Sequence, residues 1–339
     1  MGIKLRRLAA TLLLSPCPAA YSATDAHQAV MRATAHHPST SPPSAHHLDA
    51  LLAFGRGSRL SAAAVAAALV DRLRASASGQ GDPYVALKCL VALRVLLAKG
   101  AFILRDQLVV ALARHPASGR NPLALASFPL GRRSFAAASW VRFSARLLEL
   151  LLLLPDAHDA GEEYEYLSAL PNSHLVAELA AFAAVADAVR GAPPPQGSAL
   201  VWEAVRLAEE DRVCAERNVA ARVREMGDRI DTLSLADAVE LVCVLRRVEE
   251  SAAAKSASPA PEWKWAAMDE GVVCAARRVR EKAEEVVLRR TGEERRVLRR
   301  DADEATASAR VGVPRRAGAG DAVRFGSRRW DGARSAAWH

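Results

Sequence analysis

Residues 84–99 read YVALKCLVALRVLLAK, and only Lys88, Arg94 and Lys99 carry charge in that run. Val85, Leu87, Leu90, Val91, Leu93, Val95, Leu96 and Leu97 cover nearly every side of a 3.6-residue spiral. The segment therefore predicts a helix buried on most of its surface. Gly100 ends it, and residues 102–112 make a second apolar helix. Upstream, Gly55, Gly57 and Ser58 break the chain, and Ser61 is placed to cap an Ala-rich helix ending near Arg74. Residues 48–54 and 25–34 give two earlier helices, separated by a polar turn in which Pro42 and Pro43 forbid helix. Downstream, residues 114–133 read as loop, and residues 135–154 as a long helix stopped by Pro155.

Composition agrees with this reading. Of 339 residues, 51% are hydrophobic but only 5% aromatic, and Ala and Leu supply much of the apolar content. Those two are strong helix formers, whereas a sheet protein draws on Tyr, Phe, Ile and Thr. The fold class is all-α. Helices of about 10–18 residues joined by short polar turns fit stacked helical hairpins. No repeat of fixed period is visible.

Four organisational parts follow. Residues 1–24 hold Lys4, Arg6 and Arg7 ahead of an apolar run, readable as a signal-like segment or, preferably, as an amphipathic helix. Residues 25–155 form the hairpin stack. Residues 162–300 form longer amphipathic helices, expected near 162–170, 173–190, 198–227, 234–256 and 263–291, with a Pro-rich hinge at 191–197. Residues 305–339 lose apolar periodicity and read as a disordered tail.

The net charge of +8 is unevenly spread: the first 150 residues hold 18 Lys or Arg against 6 Asp or Glu, and the rest 28 against 32. A basic N-terminal half suits an anionic partner. The five cysteines are scattered without a CxxC pair and read as reduced, mostly core residues of a cytosolic protein. The four histidines at 36, 37, 46 and 47 lack carboxylate or thiolate companions, so no metal is expected. No cofactor loop, Gly-x-Ser-x-Gly or HExxH motif is present, and the chain is not expected to be an enzyme. The arginines of 277–300 alternate with glutamates, which marks a salt-bridged helix face rather than a track for nucleic acid.

Several short blocks are more specific. They are AVMRATAH at 29–36, PPSAHHL at 42–48, VALKCL at 85–90, GAFI at 100–103, SWVRF at 139–143, EEYE at 162–165 and SLADAVELVC at 234–243. In this order they resemble the plant ANTH-domain clathrin assembly proteins, over about residues 25–300. The resemblance implies an ANTH (ENTH-like) helical solenoid followed by a helical bundle. It implies an adaptor that binds phosphatidylinositol 4,5-bisphosphate and helps recruit clathrin heavy chain during endocytosis, with SNARE proteins as further partners. It also implies a cytoplasmic, peripheral membrane location at clathrin-coated pits and vesicles, and the Golgi apparatus. The competing expectations are a helical scaffold that binds a partner helix in a groove and, behind it, a basic nucleic-acid-binding protein.

An inositol phosphate needs several cationic donors converging from neighbouring elements. In the family, a basic residue at a helix end works with a Lys-rich turn ending in His. Carried over, Arg32 takes the first position and His46 and His47 the turn positions, with Lys88 as fourth candidate. The sequence departs from the pattern by placing Ser44, Ala45 and His46 where lysines are usual, which weakens the site at neutral pH and favours binding under mild acidity. Asp82-Pro83-Tyr84 and Asn121-Pro122-Leu123 only approximate coat-binding motifs, and residues 305–339 contain none.

Overall fold

The computed structural model describes residues 22–78, 81–113, 121–131, 134–155, 163–253 and 268–311. Two units are present, residues 1–288 and 289–339. Eleven α-helices are described: α1 (Ala23–Ala33), α2 (Ala45–Phe54), α3 (Arg59–Ala77), α4 (Pro83–Lys99), α5 (Phe102–Ala113), α6 (Phe135–Leu151), α7 (Glu163–Ala169), α8 (Asn172–Arg190), α9 (Ala199–Asp228), α10 (Leu235–Ala253) and α11 (Glu270–Val311). No strand occurs among the described residues, and the all-α expectation is borne out.

Local chemistry explains the helix starts. Ser22 and Asp25 form a reciprocal capping box at α1. Asp82 caps α4 by accepting from the Tyr84 and Val85 amides, with Pro83 at the first helical position. Ser58, rather than the expected Ser61, caps α3; it accepts from the Ser61 amide at 3.1 Å. The Ser61 hydroxyl instead donates to the Phe54 carbonyl at 3.1 Å, tying the end of α2 to the start of α3.

In the first unit, α4 is the axis of the stack. Every residue from Val85 to Leu93 is buried, Lys88 included. Helix α3 packs on α1, α4 and α5, while α4 also packs on α6 and α9. Helices α8 and α9 form the closest pair, with α10 against α8. Trp140 of α6 is fully buried, and its indole N–H donates to the Pro194 carbonyl at 3.4 Å. The Pro-rich segment expected to be a hinge is thus held against α6. The buried apolar residues of α1 through α10 and the first turns of α11 form a single cluster. The boundary expected at 156–161 lies outside the described residues, but helices on both sides of it share that cluster. The N-terminal residues 1–21 also lie outside.

Two readings of the sequence need adjustment. Helix α11 runs to Val311, past the point where the tail was expected to begin. Up to residue 300 its arginines and glutamates alternate at helical spacing, while Ala276, Val279, Ala283 and Val286 supply a buried stripe. Among the cysteines, Cys89 is fully buried and its thiol is pushed up to about 12 by desolvation. Cys214 and Cys243 are exposed and Cys274 is half-buried, because each falls on the outward side of an amphipathic helix. In the second unit, residues 289–311 are helical.

Gly55 shows how tightly the hairpins close. A Cβ there would stand 2.7 Å from Leu104 Cβ, an atom fixed by the backbone of α5. Gly55→Ala should therefore lower stability by about 1–3 kcal/mol through overpacking. Chemical denaturation of the two proteins, followed by helix content, measures this directly.

Candidate functional site

The candidate site is the turn between α1 and α2. Val30 and Ala33 face the core, which leaves Arg32 exposed on the last turn of α1. Its guanidinium donates to Gln28 Oε1 at 3.3 Å, one helical turn back. Among the described residues it has no carboxylate partner. Ser44 caps α2, its hydroxyl accepting from the His47 amide at 3.3 Å. His46 is exposed and His47 half-buried, with ring centroids 5.7 Å apart. No acidic side chain lies in the first turn of α2. Its amide dipoles therefore reinforce the cations rather than being neutralised.

The intervening turn is held from beneath. Lys88 projects from the buried helix α4, is 3% exposed, and donates to the carbonyls of Ala35 at 2.7 Å and Pro38 at 2.6 Å. Burial holds its ammonium below the usual lysine range, with the nearby Asp82 carboxylate opposing. His36 Nδ1 lies 2.6 Å from Asp82 Oδ2, while Asp82 Oδ1 caps α4. The Thr34 hydroxyl donates to the Val30 carbonyl at 2.7 Å, and the Leu200 amide donates to the Thr40 carbonyl at 2.9 Å. Pro43 is buried. The turn is thus fixed to α1, α4 and α9.

Of the four residues picked from sequence, Arg32, His46 and His47 flank the turn with side chains reaching solvent. Lys88 reaches the same turn from inside, with two of its three N–H groups engaged. The His36–Asp82 contact was not anticipated: the four histidines read as lacking carboxylate companions. Asp82-Pro is legible as a helix start, but nothing in the sequence ties it to a histidine 46 positions earlier. The same contact gives Asp82-Pro83-Tyr84 a structural role. Asn121 likewise serves locally, its carbonyl oxygen accepting from the Leu123 amide at 2.8 Å, and Leu123 is buried.

Among the described residues, no helix is long and apolar enough to cross a membrane. No group of three or more His, Cys, Asp or Glu there is placed to hold a metal ion.

What fold and site define together is an all-helical hairpin stack that displays an arginine and a histidine pair on its first braced turn. No protein-family model matches the chain. Over 243 residues it is 36% identical to a protein of Arabidopsis thaliana named "Putative clathrin assembly protein", an alignment taking in 66% of this chain and 63% of that relative. The resemblance to the plant ANTH-domain clathrin assembly proteins, read from the order of short blocks, is borne out by that identity. The alignment thus spans less than two thirds of the relative's length.

Proposed function

We propose that this chain is a non-enzymatic membrane adaptor of clathrin-mediated endocytosis. Arg32, His46 and His47 hold the phosphates of a bisphosphorylated inositol lipid, and the protein links that membrane to the clathrin coat. The observation that carries the reading is the braced turn itself. Its outward donors have no internal anionic partner among the described residues, while its backbone is fixed by Lys88 and the His36–Asp82 contact. Lys88 supports the turn in this scheme instead of touching phosphate. The relative named for clathrin assembly supports the coat-facing half of the proposal.

Cosedimentation with vesicles containing phosphatidylinositol 4,5-bisphosphate, against charge-matched phosphatidylserine vesicles, tests it. Arg32→Ala should weaken the bisphosphate-dependent binding about tenfold, the worth of one charge-assisted hydrogen bond. Equal binding of wild type to the two vesicle types would sink the head-group assignment.

A second reading has its own support. A groove of about 620 Å³ lies between α6, α8 and α10, lined by Phe143, Leu147, Leu150 and the small residues Ala180, Ala183 and Ala184. Small residues on one wall and large apolar ones on another suit an amphipathic helix such as that of a SNARE protein. If the vesicle assay shows no preference for the bisphosphate lipid, this scaffold reading is the one that remains.

A further inference from the structure

Helix α5 has two apolar faces, and only one is covered. Leu104, Leu108, Ala111 and Leu112 are buried. On the opposite side Phe102 is 69%, Ile103 39% and Val110 58% exposed. Leu60, at the start of α3, is 83% exposed. Leu60 and the outward residues of α5 lie on two helices that pack together. Gly55 and Gly100, in the α2–α3 and α4–α5 connections, both abut Leu104. Arg59, next to Leu60, lies 3.6 Å from Asp106, one turn along α5 from Phe102. That contact also neutralises the acidic residue in the patch. Arg56, in the first of those connections, and Lys99, the last residue of α4, stand exposed, with no ion pair among the described residues.

We infer that this patch is a second docking surface, one that seats in an anionic lipid bilayer. Leu60, Phe102, Ile103 and Val110 enter the boundary between head groups and acyl chains, while Arg56 and Lys99 meet acidic head groups. Charge complementarity selects the occupant: the unpaired side chains of the patch are apolar or cationic, the combination that binds anionic membrane interfaces. Its apolar side chains stand outward from a helix face and a turn instead of lining a groove, and a lipid interface accepts such protrusions without a matching shape. Contiguous exposed apolar surface is otherwise uncommon on a soluble protein. The patch begins at the far end of α2 from His46 and His47, about 11 Å away at 1.5 Å per residue. It needs no inositol phosphate, so this inference stands apart from the head-group proposal.

The test uses the full chain and vesicles of phosphatidylcholine with phosphatidylserine, free of inositol lipid. Wild type should bind. The double variant Leu60→Ser/Phe102→Ser should bind at least tenfold more weakly, with an unchanged melting temperature because both side chains are exposed. Arg56→Ala/Lys99→Ala should bind more weakly and show a shallower dependence on salt. Adding the bisphosphate lipid should tighten wild type and the Leu60/Phe102 variant by the same factor. The inference is overturned if wild type ignores phosphatidylserine vesicles, or if the double variant binds them equally well. It is also overturned if the double variant keeps its vesicle binding and instead loses binding to clathrin heavy chain. Failure of the head-group site would show separately, as no gain on adding the bisphosphate lipid.

Discussion

Asp211→Ala should destabilise the protein by about 3–5 kcal/mol, the range found when one partner of a buried ion pair is removed. Asp211 of α9 is 2% exposed, and Arg94 of α4 reaches it with Nε at 2.7 and 2.8 Å from the two carboxylate oxygens. A further contact runs from Nη2 to Oδ1. The loss comes chiefly from what remains: a guanidinium held against apolar neighbours without its counter-ion. The double variant Arg94→Met/Asp211→Leu should therefore recover most of the stability, since it removes both charges and refills the volume. Urea denaturation of the three variants, followed by helical circular dichroism, gives the comparison. A loss below about 1 kcal/mol for Asp211→Ala would show that the pair is solvated in solution and behaves like a surface bridge. The pair matters because it joins α4, the axis of the hairpin stack, to α9 in the longer-helix half. Breaking it should loosen the contact between those two parts of the first unit.

That pair also marks where the sequence stopped being informative. Apolar periodicity located α4, α5, α8, α9 and α10 within a few residues, because their periods are local. Several helix starts also carry readable caps: Ser44, Ser58, Asp82 and Ser198 begin α2, α3, α4 and α9. The placement of Ser58 and Ser61 was confused because both are good caps, three residues apart, and only backbone geometry separates them. Long-range polar contacts have no such signature. Arg94 and Asp211 are separated by 117 positions, and each looks like an ordinary polar interruption of a helix. The same holds for Glu178, which meets Arg222 across 44 positions at 2.7 Å. At the candidate site, surface positions of Arg32 and His46 were legible because they fall opposite the apolar stripe. The inward course of Lys88 was not, since a lysine on an all-round apolar helix fits equally with an exposed tip or a buried anchor. Only the position of the α1–α2 turn, lying over that helix, decides it.

Lys88→Met tests that distinction. The substitution keeps most of the side-chain volume and removes the ammonium, leaving the Ala35 and Pro38 carbonyls without their donor. Ala35 is half-buried and Pro38 exposed, so each carbonyl left unpaired costs about 1 kcal/mol, the low end of the range for such groups, and a total near ~2 kcal/mol is expected. His36→Ala, by comparison, should cost well under 1 kcal/mol, because His36 is 54% exposed. The loss at Lys88 should be local as well as global. Amide hydrogen exchange over residues 35–48 should quicken in Lys88→Met at temperatures where the rest of α4 stays protected. Binding to bisphosphate-lipid vesicles should fall with it, since Arg32 and the histidine pair would no longer be held across a fixed turn. The combination separates support from contact. A lysine that touches phosphate would, when replaced, weaken vesicle binding while leaving both stability and exchange of the turn unchanged. That pattern would move Lys88 out of the scaffold and into the set of groups that meet the lipid.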